Sequence, residues 1–329
     1  MTVPKIKHKK TIIIIGIIAI LILSILLSYF IVLKIGENHL RNQLSHTDDV
    51  LGSYDSDEAD AYHGGKAYYY NKDLINILCI GVDKQNAKEK SDHQADAIYL
   101  VSADVKNKKA KIIAISRNTL TDIDVYDMNG DFLATDRKQI CLSYAYGNDD
   151  EQSSLLTQKS VSRLLYDLPI NGYYTIFMDS ISDIVDSVGG VNVTIPEDMT
   201  KANKQWTKGA KITVTGKSAL SYISYRQDSS DLRLQRQKQF VKNFISAAKT
   251  AVSKDISLPF DMYNKLAKNT VTNVNSSSAV YLASEIIKSE FEVLQIPGKV
   301  GFDGTYETFE ADETALYEFV LDAFYKTEK

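Results

Sequence analysis

The sequence predicts an α/β fold in which a mixed central sheet is sandwiched by helices, preceded by one N-terminal transmembrane helix. Two observations predict the sheet and its helices: short apolar runs ending in Gly, Pro or Asp alternate with stretches of helical apolar spacing, and no internal repeat is present. The third observation is that the 23 residues from Thr11 to Leu33 carry no charge and are rich in Ile and Leu. A helix of that length spans a bilayer core of roughly 30 Å.

The flank of this apolar run predicts its orientation. Four lysines within residues 1–10 favour a cytoplasmic tail. A cleaved signal peptide is the alternative, but the run is longer than an ordinary signal core and no clear small-x-small cleavage site follows it. We therefore expect an uncleaved single-pass anchor at 11–33 in the cell membrane, with the main domain extracellular.

Residues 34–72 are interpreted as a juxtamembrane linker, and residues 73–329 as one extracellular domain. The linker is rich in Asp, has poor periodicity and contains Gly64-Gly65. Residues 1–34 hold five of the 38 basic residues and none of the 42 acidic ones, so the remainder carries a net charge of −9. That charge argues against nucleic-acid binding. Cys79 and Cys141 both lie in apolar surroundings, which favours two buried free thiols over a disulfide.

The first strands of the domain bring charged residues to their ends. The predicted strands are 74–82, 97–105 and 110–116, the last two joined as a hairpin. Asp83 follows the first strand, Asp96 opens the second and Arg117 follows the third. If these strands are neighbours, the three side chains meet at one end of the sheet.

The later elements alternate between helix and strand. The helices are predicted at 151–168, 180–188, 218–225 (helix or turn), from about 230 to 252, 276–289 and 312–325, and the strands at 173–178, 191–195 and 291–296.

The helix near 230–252 carries a basic motif. Arg233, Arg236, Gln237 and Phe240 are spaced i, i+3, i+4 and i+7 and so share one face. Guanidinium groups near a helix N-terminus suit a phosphate, because the fork donors and the helix dipole both favour an anion. A solvated basic helix face is the alternative.

Seven short segments, in this order behind an anchor, resemble the LytR-CpsA-Psr family of membrane-anchored extracellular proteins. They are Asn76-Ile77-Leu78-Cys79-Ile80-Gly81-Val82-Asp83, Ala95-Asp96-Ala97, Ile115-Ser116-Arg117-Asn118-Thr119, Ala145-Tyr146-Gly147, Val188-Gly189-Gly190-Val191, Gly216-Lys217-Ser218-Ala219-Leu220, and Tyr225-Arg226 with Arg233-Leu234-Gln235-Arg236-Gln237. The resemblance covers roughly residues 74–244.

The resemblance implies a phosphotransferase that moves a glycopolymer, such as teichoic acid or capsule, from an undecaprenyl-pyrophosphate carrier to peptidoglycan, with a pyrophosphatase side activity. It implies an apolar tunnel for the polyprenyl chain between sheet and helices. The implied metal ligands for Mg²⁺ or Mn²⁺ are Asp83 and Asp96. The implied phosphate-binding residues are Arg117, Arg226, Arg233, Arg236 and Gln237, and the implied catalytic residues are Asp83, Asp96, Arg117 and Arg226.

Three departures from the family pattern leave a second interpretation open. Members often have Arg-Ser-Asp where this chain has Gln94-Ala95-Asp96, Pro-Arg-Asp where it has Ser116-Arg117-Asn118, and Arg-Tyr-Arg where it has Ser224-Tyr225-Arg226. Two cations and one acid fewer would weaken pyrophosphate binding. The alternative function is therefore a catalytically weakened polyprenyl-phosphate lipid-binding module or a regulatory cell-envelope protein.

Overall fold

A six-stranded mixed sheet forms the centre of the fold. The computed structural model describes residues 31–40, 58–84, 93–127, 129–225 and 230–327. The strands are β1 (Ala61–His63), β2 (Lys66–Tyr70), β3 (Leu74–Val82), β4 (Ala95–Asp104), β5 (Lys109–Ile115), β6 (Leu120–Tyr126), β7 (Phe132–Gln139), β8 (Gly172–Phe177), β9 (Val191–Thr194), β10 (Lys211–Val214), β11 (Thr270–Thr272), β12 (Glu290–Gln295), β13 (Gly298–Phe302), β14 (Glu307–Ala311) and β15 (Tyr325–Lys326). The helices are α1 (31–40), α2 (Asp150–Leu164), α3 (Ile181–Ser187), α4 (Gly216–Ser224), α5 (Ser230–Lys254), α6 (Leu258–Leu266), α7 (Ser276–Lys288) and α8 (Glu313–Phe324).

The strand order of this sheet confirms the predicted α/β class. The order is β11-β8-β3-β4-β5-β12. β4 is antiparallel to both β3 and β5, as the predicted hairpin requires, whereas β8 is parallel to β3 and β12 is parallel to β5. The three strands that carry the predicted charged ends are therefore direct neighbours.

The two faces of the sheet pack against different helices, because alternate residues of a strand point to opposite sides. Leu78 and Ile80 of β3 belong to a buried core that also includes residues of α2 and α8. Ile75 and Ile77 point to the other face and line a cavity together with residues of α5, α6 and α7. We call the first side the sealed face and the second the cavity face.

Helix α2 is shorter than the sequence predicts. It ends at Leu164 rather than at residue 168. Tyr166 and Asp167 both have φ of +59°, a left-handed conformation that an α-helix cannot continue through. The predicted stop at Pro169 was therefore four residues late.

A second small core lies outside the central sheet. The predicted strand at 191–195 forms β9, but β9 pairs with β10 in a separate two-stranded sheet. Its residues pack in a cluster around Trp206 and Tyr222. The hairpins β6–β7 and β13–β14 were not predicted, since most of β7 and all of β13 are exposed and lack an apolar run.

Folded structure begins before residue 73, within the segment interpreted as a linker. β2 pairs with β1 on one side and with the C-terminal β15 on the other. In α1, Leu40 is buried in a cluster with Ile75 and Ile77. The predicted transmembrane helix at 11–33 lies outside the described residues except for 31–33. Of the helices that the structure does describe, none has the length and apolar character needed to span a bilayer.

Candidate active site at the end of the central sheet

The register of the central strands brings three predicted residues to one end of the sheet. Val82 at the end of β3 pairs with Ala95 at the start of β4, and Ile98 of β4 pairs with Ile115 at the end of β5. Asp83, Asp96 and Arg117 therefore lie at the same edge. The β3–β4 register shifts after Gly81, and this irregularity falls beside Asp96.

Arg117 is held by both its backbone and its side chain. Its carbonyl accepts a hydrogen bond of 3.1 Å from the backbone N–H of Cys141, in the first turn of the 3-10 helix Ile140–Tyr146. Its guanidinium donates to the Asp96 carboxylate and to the side-chain oxygen of Gln94. The side chains of Arg117 and Asp96 are 14% and 9% exposed, so this ion pair is largely shielded from water.

One donor of Arg117 remains unpaired within the described part of the chain. Its Nε atom is buried and has no hydrogen-bond partner. Burial alone would lower the pKa of Arg117, but the neighbouring Cys141 and Asp96 outweigh it and raise that pKa. The guanidinium is therefore charged and keeps one buried donor that an anionic ligand would satisfy.

Cys141 connects this edge to the basic helix electrostatically. The thiol is fully buried and its Sγ lies 3.4 Å from Nη2 of Arg117. Burial raises the pKa of Cys141, while the positive charges of Arg117 and of Arg233 on α5 lower it. The charge of Arg233 thus acts on the same thiol that contacts Arg117.

Sequence reasoning missed the roles of Cys141 and Gln94 in this cluster. Cys141 was interpreted only as an apolar buried thiol, and Gln94 only as the loss of a family arginine. Cys141 lies a few residues before Ala145-Tyr146-Gly147 in the sequence, and the family resemblance already singled out that segment. This closeness in sequence was the available signal for a role of Cys141. Both thiols are free, as predicted, but only Cys141 is buried, and Cys79 is partly exposed.

Asp83 is partly buried, and the lysine that follows it is tied to α2. Lys84 Nζ lies 2.8 Å from Asp150 Oδ2 and 3.4 Å from the centre of the Phe177 ring. In the described residues, no group of three or more His, Cys, Asp or Glu side chains is placed to hold a metal ion. A metal at Asp83 and Asp96 would therefore complete its coordination with phosphate oxygens and water, which is the usual arrangement for Mg²⁺.

Arg236 corrects the prediction of a phosphate ligand. It is 1% exposed, and its guanidinium donates to Glu197 and to the backbone carbonyl of Tyr225, whose ring lies 5.4 Å away. Burial lowers the pKa of Arg236 to about 10. Because the guanidinium is buried beside the second core and its Nη1 and Nη2 atoms are already paired, we assign it a structural role, although its Nε atom has no partner in the described part of the chain. No sequence signal indicated Glu197 as its partner.

The remaining predicted residues of the motif have different outcomes. Gln237 is 9% exposed and donates a 3.2 Å hydrogen bond to the Ile223 carbonyl, with its side chain at the wall of a cavity. Burial of Arg236 and Gln237 overturns the alternative of a solvated basic face. Arg226 lies outside the described residues, so its role stays a prediction. The side chain of Asp231 is not described either.

Two adjoining apolar cavities occupy the cavity face. Their volumes are about 210 Å³ and about 290 Å³, and Cys79, Ile176 and Phe244 line both. The smaller one starts near the charged edge, at Gly81 and Ala97. The larger one continues beneath α6 and α7, between the helices and the sheet, where the polyprenyl tunnel was expected.

The fold thus combines a charged sheet edge with adjoining apolar cavities between the sheet and the helices. The LytR_cpsA_psr family model matches residues 40–322. The chain therefore belongs to the LytR-CpsA-Psr family.

Relatives of known name support the same family. The chain is 27% identical over 260 residues to the polyisoprenyl-teichoic acid–peptidoglycan teichoic acid transferase TagV of Bacillus subtilis, covering 74% of this chain and 62% of TagV. It is 30% identical over 230 residues to the transferase TagU of Bacillus cereus, covering 68% of this chain and 69% of TagU.

Solved structures share the fold. One is TagT bound to LIIa-WTA, with a TM-score of 0.57 and 25% identity over 76% of this chain and 89% of that one. Another is TagV of Bacillus subtilis, with a TM-score of 0.58 and 25% identity over 76% and 94% of the two chains.

Proposed function

We propose that this protein transfers a glycopolymer from an undecaprenyl-pyrophosphate carrier to peptidoglycan on the outer side of the cell membrane. The observation that carries the proposal is the shielded Arg117–Asp96 pair at the sheet edge where Gly81 and Ala97 line the smaller apolar cavity. The relatives' names, which specify polyisoprenyl-linked teichoic acid and peptidoglycan, support the substrate class. Teichoic acid and capsule polymers are both candidates for the cargo.

The proposed reaction is a displacement at phosphorus. A peptidoglycan hydroxyl attacks the phosphorus nearest the glycan, and a new P–O bond forms. The bond from that phosphorus to the bridging oxygen breaks, and undecaprenyl phosphate leaves with the bonding electron pair. The hydroxyl proton passes to a carboxylate at the sheet edge, for which Asp83 and Asp96 are the candidates.

The arginines neutralise the diphosphate during this step. Arg117 offers its buried, unpaired Nε donor, and Arg233 adds a second positive charge from α5. Arg226 completes the set by family resemblance. Preorganised donors of this kind stabilise the charge that develops on the phosphoryl oxygens.

The sheet edge has the donor chemistry for Mg²⁺ or Mn²⁺. Asp83 and Asp96 supply two carboxylates, which suffices when phosphate and water provide the other ligands. Such an ion, when bound, would polarise the phosphoryl oxygens as a Lewis acid. The membrane anchor at 11–33 would hold this edge close to the bilayer that contains the carrier. Water in place of the peptidoglycan hydroxyl would give the pyrophosphatase side activity.

The first test is transfer of a labelled polyprenyl-pyrophosphate glycan to peptidoglycan by the full chain in detergent with Mg²⁺. We expect Arg117→Ala to lower turnover by about 100-fold or more, the effect of removing a preorganised charge donor. Arg137→Ala is the matched control, because Arg137 forms an exposed ion pair with Glu310 on the β7–β14 side. Full activity of Arg117→Ala would refute the assigned site, and EDTA should abolish the wild-type reaction.

A lipid-binding module without turnover is the second candidate. Gln94 favours it, because this amide stands where the family often has arginine and it occupies a donor of Arg117. That function predicts copurified polyprenyl phosphate without transfer in Mg²⁺ or Mn²⁺. If the site is only weakened, Gln94→Arg combined with Asn118→Asp and Ser224→Arg should raise transfer.

A further inference from the structure

Tyr99 lies on β4 where the apolar channel meets the basic helix. It pairs with Cys79 in the β3–β4 register and points to the cavity face. Its side chain lines the smaller cavity together with Gly81 and Ala97 from the charged edge and Gln237 from α5. The ring therefore stands between the charged end of the sheet and the apolar interior.

The Tyr99 hydroxyl is buried and has no hydrogen-bond partner within the described part of the chain. A buried hydroxyl without a partner destabilises a folded protein, so such a group calls for an explanation. The surroundings of the hydroxyl offer none, because the other residues of this cavity are almost all apolar. A bound ligand that supplies an acceptor at this position would remove the penalty.

The electrostatics show which kind of acceptor the hydroxyl could meet. Burial raises the pKa of Tyr99, while the charge of Arg233 acts in the opposite direction. The phenol thus stays protonated at the pH of the cell surface and can donate. Arg233 is one helical turn before Gln237, which lines the same cavity, so an anion near Arg233 would lie next to the hydroxyl.

We propose that Tyr99 donates a hydrogen bond to the phosphate that is attached to the prenyl chain. This inference rests on the function proposed above and adds a residue to its site. The prenyl-linked phosphate is the leaving group, and it takes the electron pair when the bridging P–O bond breaks. A neutral donor at this position stabilises the growing charge and fixes the depth at which the prenyl chain enters the channel.

The test separates this hydrogen bond from simple packing. Tyr99→Phe removes one oxygen and keeps the ring. We expect the full chain carrying this variant to bind undecaprenyl phosphate roughly 10- to 100-fold more weakly, the range for losing a hydrogen bond to a charged group. Undecaprenol, which has the same chain and no phosphate, should bind as it does to the wild type. Transfer turnover should fall together with phosphate binding.

Tyr173→Phe is the matched control. Tyr173 lies on β8 and is buried on the sealed face, so this change should leave both affinities unchanged. Equal weakening of phosphate and alcohol in Tyr99→Phe would show a packing role, and unchanged phosphate binding would show no role. Either result overturns the inference. A wild type that binds neither lipid would instead overturn the proposed function.

Discussion

The two faces of the central sheet are built from the same strands and differ in how well they are filled. On the sealed face, Leu78 and Ile80 are 0% and 1% exposed and pack against α2 and α8. On the cavity face, Ile77 and Cys79 of the same strand border cavities of about 210 Å³ and 290 Å³. Period-2 alternation therefore divides one strand between a packed core and an unfilled channel.

This difference indicates which face stabilises the fold and which face has space for a ligand. Close packing supplies dispersion contacts that an unfilled cavity wall lacks. The cavity face also keeps polar groups, because the hydroxyl of Tyr99 is buried there without a hydrogen-bond partner among the described residues. We infer that the sealed face stabilises the sheet and that the cavity face binds the lipid ligand proposed above.

Two truncations of equal size should separate the faces most strongly. Leu78→Ala should lower the free energy of unfolding by about 2–5 kcal/mol, since it opens a hole in a filled core. Ile176→Ala removes the same number of carbons from a residue that already borders both cavities, so we expect a loss of about 1–2 kcal/mol. Urea denaturation of the full chain in detergent measures both values.

An equal loss for the two variants would contradict the comparison. It would mean that the cavity face is as tightly packed in solution as the sealed face. Repeating the measurement with saturating undecaprenyl phosphate sharpens the test, because a ligand that binds only the folded state adds to its stability. That addition should be smaller for Ile176→Ala than for Leu78→Ala.

Two enlargements test the same contrast with a smaller effect. Ala323 of α8 packs in the sealed core, and Ala283 of α7 borders the larger cavity. Ala323→Phe should cost about 1–3 kcal/mol through overpacking. Ala283→Phe has space to enter, so its stability should change by less than about 1 kcal/mol, while its affinity for undecaprenyl phosphate falls. Denaturation and lipid-binding assays check the pair, and wild-type lipid affinity in Ala283→Phe would place the prenyl chain elsewhere.

The central strands β3, β4 and β5 were predictable from sequence, because the apolar pattern that marks a buried strand is local. The run from Leu74 to Val82, apolar except for Asn76, became β3 with both boundaries unchanged, and the apolar hairpin after it became β4 and β5. Polar strands gave no such signal. β7 and β13 are exposed along most of their lengths and owe their existence to pairing with β6 and β14.

The candidate site divides in the same way. Asp83, Asp96 and Arg117 could be placed together, since each stands at the end of a predictable strand. The contacts of Arg117 with Cys141 and of Arg236 with Glu197 could not, because they form through tertiary packing across 24 and 39 residues of sequence. A helical spacing put Arg236 on the predicted motif face, but only the fold shows that this part of the face is buried.

The smallest expected change in stability concerns the ion pairs that join α2, which covers the sealed face, to Asp124 of β6. Asp124 is 3% exposed and accepts hydrogen bonds from Lys159 and Arg163 of α2, at 2.7 Å and 2.6 Å, and from Thr135. Burial would raise the pKa of Asp124, but these donors outweigh it and lower the pKa to about 2. A carboxylate with a lowered pKa in the folded state contributes stability above its unfolded pKa, near 3.9, and loses it as the pH falls towards 2.

Asp124→Asn should therefore cost about 1–2 kcal/mol at pH 7, and the difference from the wild type should disappear between about pH 4 and pH 2. Denaturation at a series of pH values measures this difference directly. Asp122→Asn is the control, because Asp122 is exposed on the same strand and its replacement should matter little at any pH. A cost for Asp124→Asn that persists at pH 2 would show that the residue acts through packing. In that case the packing of α2 against β6 would not depend on the charge of Asp124, and any loss of stability of the sealed face at low pH would come from other groups.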